Sequence, residues 1–396
     1  MTKKLFRQMW NERRTNAWLL LELIVVSVVL WYVVDTLYCR LATYGEPRGF
    51  DTEHCYLLEL GKLRPGTGMP CSNCVSLSLA SYPYNGSNNS IFLGYDSLRA
   101  RYIAAHRMVS PDFLRVFRYR GAHGEPPELL ASVLERGDVL VSDNLFDDYG
   151  VDMDTLVGRT VHSLNSDGLQ TRVGGLIEPV RYSDFHEARH SLTLVENLES
   201  YYQDAPGILM DSPELCLRMR PESDKDVAAL LMGDSDRQLR VGNLYVRNVR
   251  SFADIRRSYQ LLQTTELRNL AVVMGFLLLN VFLGLLGTFW FRTQQRRGEL
   301  ALHRAMGARC GQVFGRLVGE GLVLLAVTFP VALAVGFNVA RAGLSAWYGG
   351  TTLSVGRLFV CLAVAFVLMG AVMVAGMLVP ALRAMRVSPV EGLHEE

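Results

Sequence analysis

The chain has 396 residues, 40 Lys and Arg against 39 Asp and Glu, and 49% hydrophobic residues. A mean hydropathy above zero excludes an ordinary cytosolic enzyme, and a net charge near zero lacks the basic excess of a nucleic-acid binder. The apolar excess is gathered into four blocks, and these set the order of the elements.

Residues 1–16 place Leu5, Phe6, Met9 and Trp10 on one helical face, opposite Lys4, Arg7 and Asn11. That pattern predicts a cytoplasmic amphipathic helix at a lipid surface. Residues 17–37 are apolar except for polar positions such as Glu22. This is enough to cross a ~30 Å hydrocarbon core as a helix, which satisfies its own backbone hydrogen bonds. No small-x-small cleavage pattern closes the block, so it reads as a retained anchor rather than a signal peptide.

Residues 38–268 have mixed texture. Short β-like runs at 138–141, 170–177 and 239–246 alternate with helical patches at 126–135 and 225–231. The class is α+β, a domain inserted between the first and second membrane helices. Residues 251–268 read as a polar amphipathic stalk helix, with Ile255, Tyr259, Leu262 and Leu267 at helical spacing. No Pro or Gly precedes Gly275, so one rod is expected to run from the stalk into the membrane.

Cys39, Cys55, Cys71, Cys74 and Cys216 belong to this outer part, where disulfides persist. Cys71 and Cys74 form a C-x-x-C. Without a second such pair or a βαβ setting, a structural disulfide, within the pair or with Cys55, outweighs a redox couple or half a zinc site. His186, Glu187 and His190 match H-E-x-x-H, which on a helix would hold zinc and activate water. Here the motif follows a Pro-Val-Arg-Tyr-Ser loop and runs into a β-like segment, with no third ligand downstream. A membrane-anchored zinc protease is therefore the weakest reading, and a surface loop the preferred one.

The remaining blocks are 269–291, 312–340 and 357–382, each long enough to span. Basic residues cluster before the first helix, between the second and third (Arg292, Arg296, Arg297, Arg304, Arg309) and in the tail 383–396 (Arg383, Arg386). These parts are assigned to the cytoplasm and 38–268 to the far side. Within 292–311, Ala301, Leu302, Ala305 and Met306 share one face of a short helix ended by Gly307. Such a helix lies on lipid or docks in a partner's groove. No P-loop is present; Gly61-Lys62-Leu63 lacks both the earlier Gly and the hydroxyl. Any work done by the chain draws its energy from a partner. Gly315 and Gly319 make a small-x-x-x-small pattern compatible with helix pairing.

Two stretches resemble the MacB/FtsX family of ABC-transporter permeases. Arg296 or Arg297, Glu299, Leu300, Leu302, Arg304, Ala305, Met306, Gly307 and Ala308 fill the family's cytoplasmic pattern, and Glu320 stands where the family carries a Glu. Pro380, Ala384, Pro389, Glu391 and Leu393 fill its closing signature. The stretch from Arg172 to Phe185 resembles a strand and loop of the family's outer domain. The resemblance implies a non-catalytic permease subunit without cofactor or fused ATPase, in a bacterial inner membrane, with both termini cytoplasmic and the large domain periplasmic. It implies a coupling helix, Glu299, Leu300, Leu302, His303, Arg304, Ala305, Met306, Gly307 and Ala308, that binds a cytosolic ABC ATPase dimer. The further partners implied are a second copy or a homologous permease, membrane lipid, and a periplasmic adaptor or substrate. ATP hydrolysis would then be converted to movement of the outer domain, for export or extraction, or for regulation of a periplasmic partner without transport.

Overall fold

The computed structural model describes residues 13–62, 76–86, 89–95, 98–146, 150–163, 170–188, 192–199, 214–223, 226–233, 240–241, 244–295 and 310–384. The chain forms two compact units, one from its two ends, 1–42 and 264–396, and one from 43–263.

The first unit is helical. Its elements are α1 (Arg13–Gly45), α6 (Leu261–Gln295), α7 (Cys310–Arg341) and α8 (Val355–Ala384). Each contains a stretch long and apolar enough to cross a membrane: Leu19–Gly45, Leu261–Phe291, Val318–Arg341 and Val355–Leu378. Leu23, Leu30, Trp31, Leu285, Phe289, Leu324, Leu362, Met369 and Met373 are buried between the helices. In lipid no hydrophobic effect separates helix from helix, so close packing has to supply the attraction. Small residues permit it. A Cβ on Gly336 would stand 3.4 Å from the Trp31 ring, and one on Gly376 3.2 Å from the Phe282 carbonyl. Gly284 leaves room for Glu22, whose Oε1 lies 2.9 Å from where a Cβ would be. Gly315 and Gly319 meet nothing within 4 Å. Phe276, Leu279 and Leu283 of α6, and Phe359, Val364 and Val367 of α8, are exposed outward, as lipid-facing positions require.

The second unit is built on β-sheet. Among the described residues it has β1 (Cys55–Lys62), β2 (Leu77–Leu79), β3 (Ser90–Tyr95), β4 (Leu98–Val109), β5 (Val139–Ser142), β6 (Thr160–Ser163), β7 (Gln170–Ile177), β8 (Thr193–Asn197), β9 (Glu214–Arg218), β10 (Arg240–Val241) and β11 (Leu244–Ser251). Its helices are α2 (Asp112–Val116), α3 (Pro127–Glu135), α4 (Val227–Gly233) and α5 (Phe252–Tyr259). The strands pair in the order β10-β11-β1-β9-β2-β4-β3-β6-β7-β5-β8, and β8 returns to pair parallel with β4. The last six strands of that order therefore close into a ring. Ile91, Leu93, Ala104, Val139, Val141, Val161, Val173, Leu176 and Leu194 fill it, together with Phe146, Met153 and Leu156.

Alternation decides which residues enter the ring. Val139 and Val141 point in, while Leu140 packs outside with Leu134 of α3. On β7 the inward residues, Val173 and Leu176, stand three apart, which simple alternation forbids. The pairing skips a residue there: Val139 faces Val173 but Leu140 faces Gly175. The extra residue of this bulge is Gly174, where a Cβ would collide with Val133 and Asp138.

Outside the ring, β10-β11-β1-β9-β2 form an antiparallel sheet. One face of it holds Leu58, Val246 and Val249 against α4. The other holds Cys55, Leu57 and Cys216, joined to the aromatic cluster of Phe113, Phe117, Tyr119 and Phe252.

Two expectations change. The run 239–246 is a hairpin and not one strand, because Val241 pairs with Leu244. The stalk does not form one rod with the second span. α5 starts at Ser251, whose hydroxyl accepts from the Asp254 amide at 3.1 Å, and stops at Gln260, before α6 begins at Leu261. No Gly or Pro causes the break. Phe252 and Ile255 are buried in the sheet-rich core and Tyr259 packs on Tyr84, ring centroids 5.9 Å apart, so packing fixes the direction of α5.

Candidate functional site

The chain enters the sheet-rich unit at Thr43, in the last turn of α1, and leaves it at Gln263, in the first turn of α6. A single loop, 179–186, between β7 and β8 grips the residues at both. Gly49 lets it come close: its φ is +77°, and a Cβ there would stand 2.7 Å from the Pro179 carbonyl oxygen. The Arg181 amide donates to the Arg48 carbonyl at 3.0 Å.

Arg181 has 0% of its surface exposed. Its guanidinium donates to the carbonyls of Thr43 at 2.8 Å and Pro47 at 2.9 Å, and to that of Glu46. Within its own loop it donates to the carbonyls of Asp184 and His186, each at 3.2 Å. Thr43 lies in the last turn of α1, Glu46 and Pro47 just beyond it, and a planar five-donor fork can reach several carbonyls at once. Burial pushes the Arg181 guanidinium below its ordinary range, a pull that the nearby Glu46 and Asp184 charges oppose.

Asp184 is 1% exposed and reaches the other crossing. Its Oδ2 accepts from Arg256 Nε of α5 at 2.6 Å and lies 2.5 Å from Arg256 Nη2. Its Oδ1 accepts from the Tyr84 hydroxyl at 2.9 Å. Arg256 also donates to the Tyr44 hydroxyl at 3.3 Å and stands 5.8 Å from that ring's centre, linking α5 directly to the last turn of α1. Burial and the Asp184 carboxylate hold the Tyr84 phenol up at about 12, so it remains a donor. Burial alone would lower Arg256, but the hydrogen bond and charge of Asp184 outweigh it and raise it. The cluster is a charge-assisted hydrogen-bond network.

A second buried pair lies in the helical unit. Arg357 Nε of α8 is 2.9 Å from Asp35 Oδ1 of α1, at 6% and 1% side-chain exposure. Arg357 Nη2 donates to the carbonyls of Ala346 at 2.9 Å and Thr352 at 2.6 Å, fastening the loop between α7 and α8.

Other sequence-marked residues fall as follows. Glu299, Leu300, Leu302, His303, Arg304, Ala305, Met306, Gly307 and Ala308 lie outside the described residues, as do Cys71, Cys74 and His190. His186 is exposed and Glu187 buried, and neither lies in a helix. Among the described residues no group of three or more His, Cys, Asp or Glu could hold a metal ion. Cys55 is buried, and its Sγ donates to the Glu53 carbonyl at 3.4 Å and the Val116 carbonyl at 3.6 Å. Local pattern does not mark Arg181, Asp184 or Arg256. The one signal is that Arg181 and Asp184 fall within the stretch from Arg172 to Phe185, which resembles an outer-domain strand and loop.

Residues 271–389 match the family of the FtsX-like permease C-terminal region. That match takes in most of α6, all of α7 and α8, and the segment joining α6 to α7. Two solved structures are similar to the chain. One is the extracellular domain of the noncanonic ABC-type transporter YknZ from Gram-positive bacteria, at 10% identity and TM-score 0.28, covering 48% of this chain and 100% of that one. The other is the periplasmic region of MacB from Actinobacillus actinomycetemcomitans, at 11% identity and TM-score 0.30, covering 55% of this chain and 98% of that one. No curated protein matches the chain in sequence.

Proposed function

We propose that this chain is the permease subunit of an ABC-type transporter of the MacB/FtsX kind. A separate cytosolic ATPase pair drives it, and its sheet-rich unit moves on the far side of the bacterial cytoplasmic membrane. The observation that carries the reading is the family match over 271–389, which falls on three long apolar helices and on the basic segment between the first two. Lys and Arg asymmetry puts that segment, and both termini, on the cytoplasmic side.

In this reading Glu299, Leu300, Leu302, His303, Arg304, Ala305, Met306, Gly307 and Ala308 form the coupling helix. Its apolar face seats in a groove of the ATPase, where several anchors engage together and transmit a push. Closure of the ATPase pair displaces the membrane helices, and the displacement reaches the 43–263 unit. The output is export or extraction of a substrate outside the membrane. A second permease, a copy or a homologue, completes the complex.

The test is co-purification from native membranes. A Walker-motif ATPase is expected with the wild-type chain, and Met306→Asp should lose it while the chain stays folded in the membrane. Equal ATPase recovery with the variant sinks the coupling role. Absence of any ATPase from the wild-type complex sinks the reading as a whole.

A further inference from the structure

We propose that Arg181 and Asp184 are positioning residues that lock both chain crossings into one mechanical joint. By this joint, a displacement arriving at either end of the unit's chain reaches the sheet-rich core as a single input. The inference rests on the function proposed above and names the residues that make the transfer.

The observations are independent of one another. Arg181 takes three carbonyls of the segment leaving α1, those of Thr43, Glu46 and Pro47. Asp184, three residues on, takes α5 through two nitrogens of Arg256. The loop bearing both is itself pinned by its carbonyls to Arg181, by Tyr84 to Asp184, and by the close approach of Gly49. Arg256 closes the circuit on Tyr44. A guanidinium at 0% exposure is costly to bury, and a domain needing only stability could fill that space with apolar side chains at lower cost. What an ion-paired fork adds is directional rigidity: each bond resists displacement along its own axis, which apolar contact does not.

The test uses the full chain in lipid nanodiscs and hydrogen exchange read by mass spectrometry, first without any ATPase. In the wild type, amides of 43–49 and 252–259 should open together with one protection factor. Arg256→Gln, on a side chain 30% exposed, and Asp184→Asn should each raise exchange in both segments by about tenfold to a hundredfold, the loss expected for a hydrogen bond to a charged group. The ring strands β3, β6 and β7 should not change. If Arg256→Gln loosens 252–259 and leaves 43–49 at its wild-type rate, the joint is refuted.

The second arm adds the co-purified ATPase with ATP and vanadate. The wild type should show a nucleotide-dependent change of exchange in the sheet-rich unit. Asp184→Asn should hydrolyse ATP yet lose that change. A retained change overturns the inference, since a residue serving stability alone would lower the unfolding midpoint and leave the nucleotide response in place. Failure to recover an ATPase refutes the proposed function, and the first arm still decides the joint.

Discussion

Gly49→Ala isolates the steric part of the loop's approach. Two terms act. An alanine at φ +77° pays the left-handed penalty of about 1–2 kcal/mol. Its Cβ must also displace the Pro179 carbonyl oxygen, 2.7 Å away, and forcing backbone apart in a packed region costs about 1–3 kcal/mol more. Gly124→Ala is the control, because φ there is +84° and nothing lies within 4 Å. The expected losses are about 2–5 kcal/mol at Gly49 and about 1–2 kcal/mol at Gly124. Urea unfolding of the full chain in detergent, read by pulse proteolysis of the sheet-rich unit, reports the difference. Equal losses at the two positions would show that the contact with Pro179 contributes nothing, and with it would fall the claim that loop 179–186 is held closely against the segment leaving α1.

Two carboxylates of the sheet-rich unit should give opposite pH slopes. Glu214 accepts from Ser78 Oγ at 2.8 Å, Ser81 N at 3.0 Å and Tyr82 N at 3.3 Å, but burial outweighs these bonds and holds its carboxyl above the usual range. The folded state then binds the proton more tightly than the unfolded one, so stability falls as pH rises through the ordinary carboxylate range to the folded pKa. Glu214→Gln should raise the urea midpoint at neutral pH, with the gain vanishing in acid. For Asp51, burial would raise the carboxyl, yet the Glu53 amide, Arg218 and Arg118 lower it below the usual range. Its contribution is present above the ordinary range and is lost as pH falls through the folded pKa. Asp51→Asn should lower the midpoint at neutral pH and have no effect in strong acid; slopes of the same sign for the two variants would contradict both assignments. Asp35→Leu leaves Arg357 buried beside no carboxylate and should cost about 3–5 kcal/mol in detergent-titration unfolding of the helical unit. An unchanged midpoint would mean that the pair carries no stability.

The membrane helices were legible because length and apolarity are local properties. A stretch such as 357–382 must be helical in lipid whatever surrounds it, since no other conformation satisfies its backbone. The α+β class was legible for a related reason: β7 and α3 announce themselves as a short β-like run and through Pro127 at a helix start. Local pattern suggests an apolar face through Leu302 and Met306, which lie outside the described residues. The joint at Arg181 could not be read from it. A guanidinium between Val180 and Tyr182 looks like any exposed loop cation until the carbonyls of Thr43 and Pro47, more than a hundred residues earlier, are brought around it.

Composition and periodicity thus decided by themselves that the chain spans a membrane four times with a large mixed domain between the first two spans. Tertiary structure alone decided that β8 returns to β4 and closes a ring, that Gly174 is the extra residue of a bulge, and that α5 ends at Gln260. The division has one physical reason. Burying a backbone in hydrocarbon constrains each residue through its immediate neighbours. Ring closure, bulge and joint depend on pairings between distant segments, whose partners local sequence does not specify.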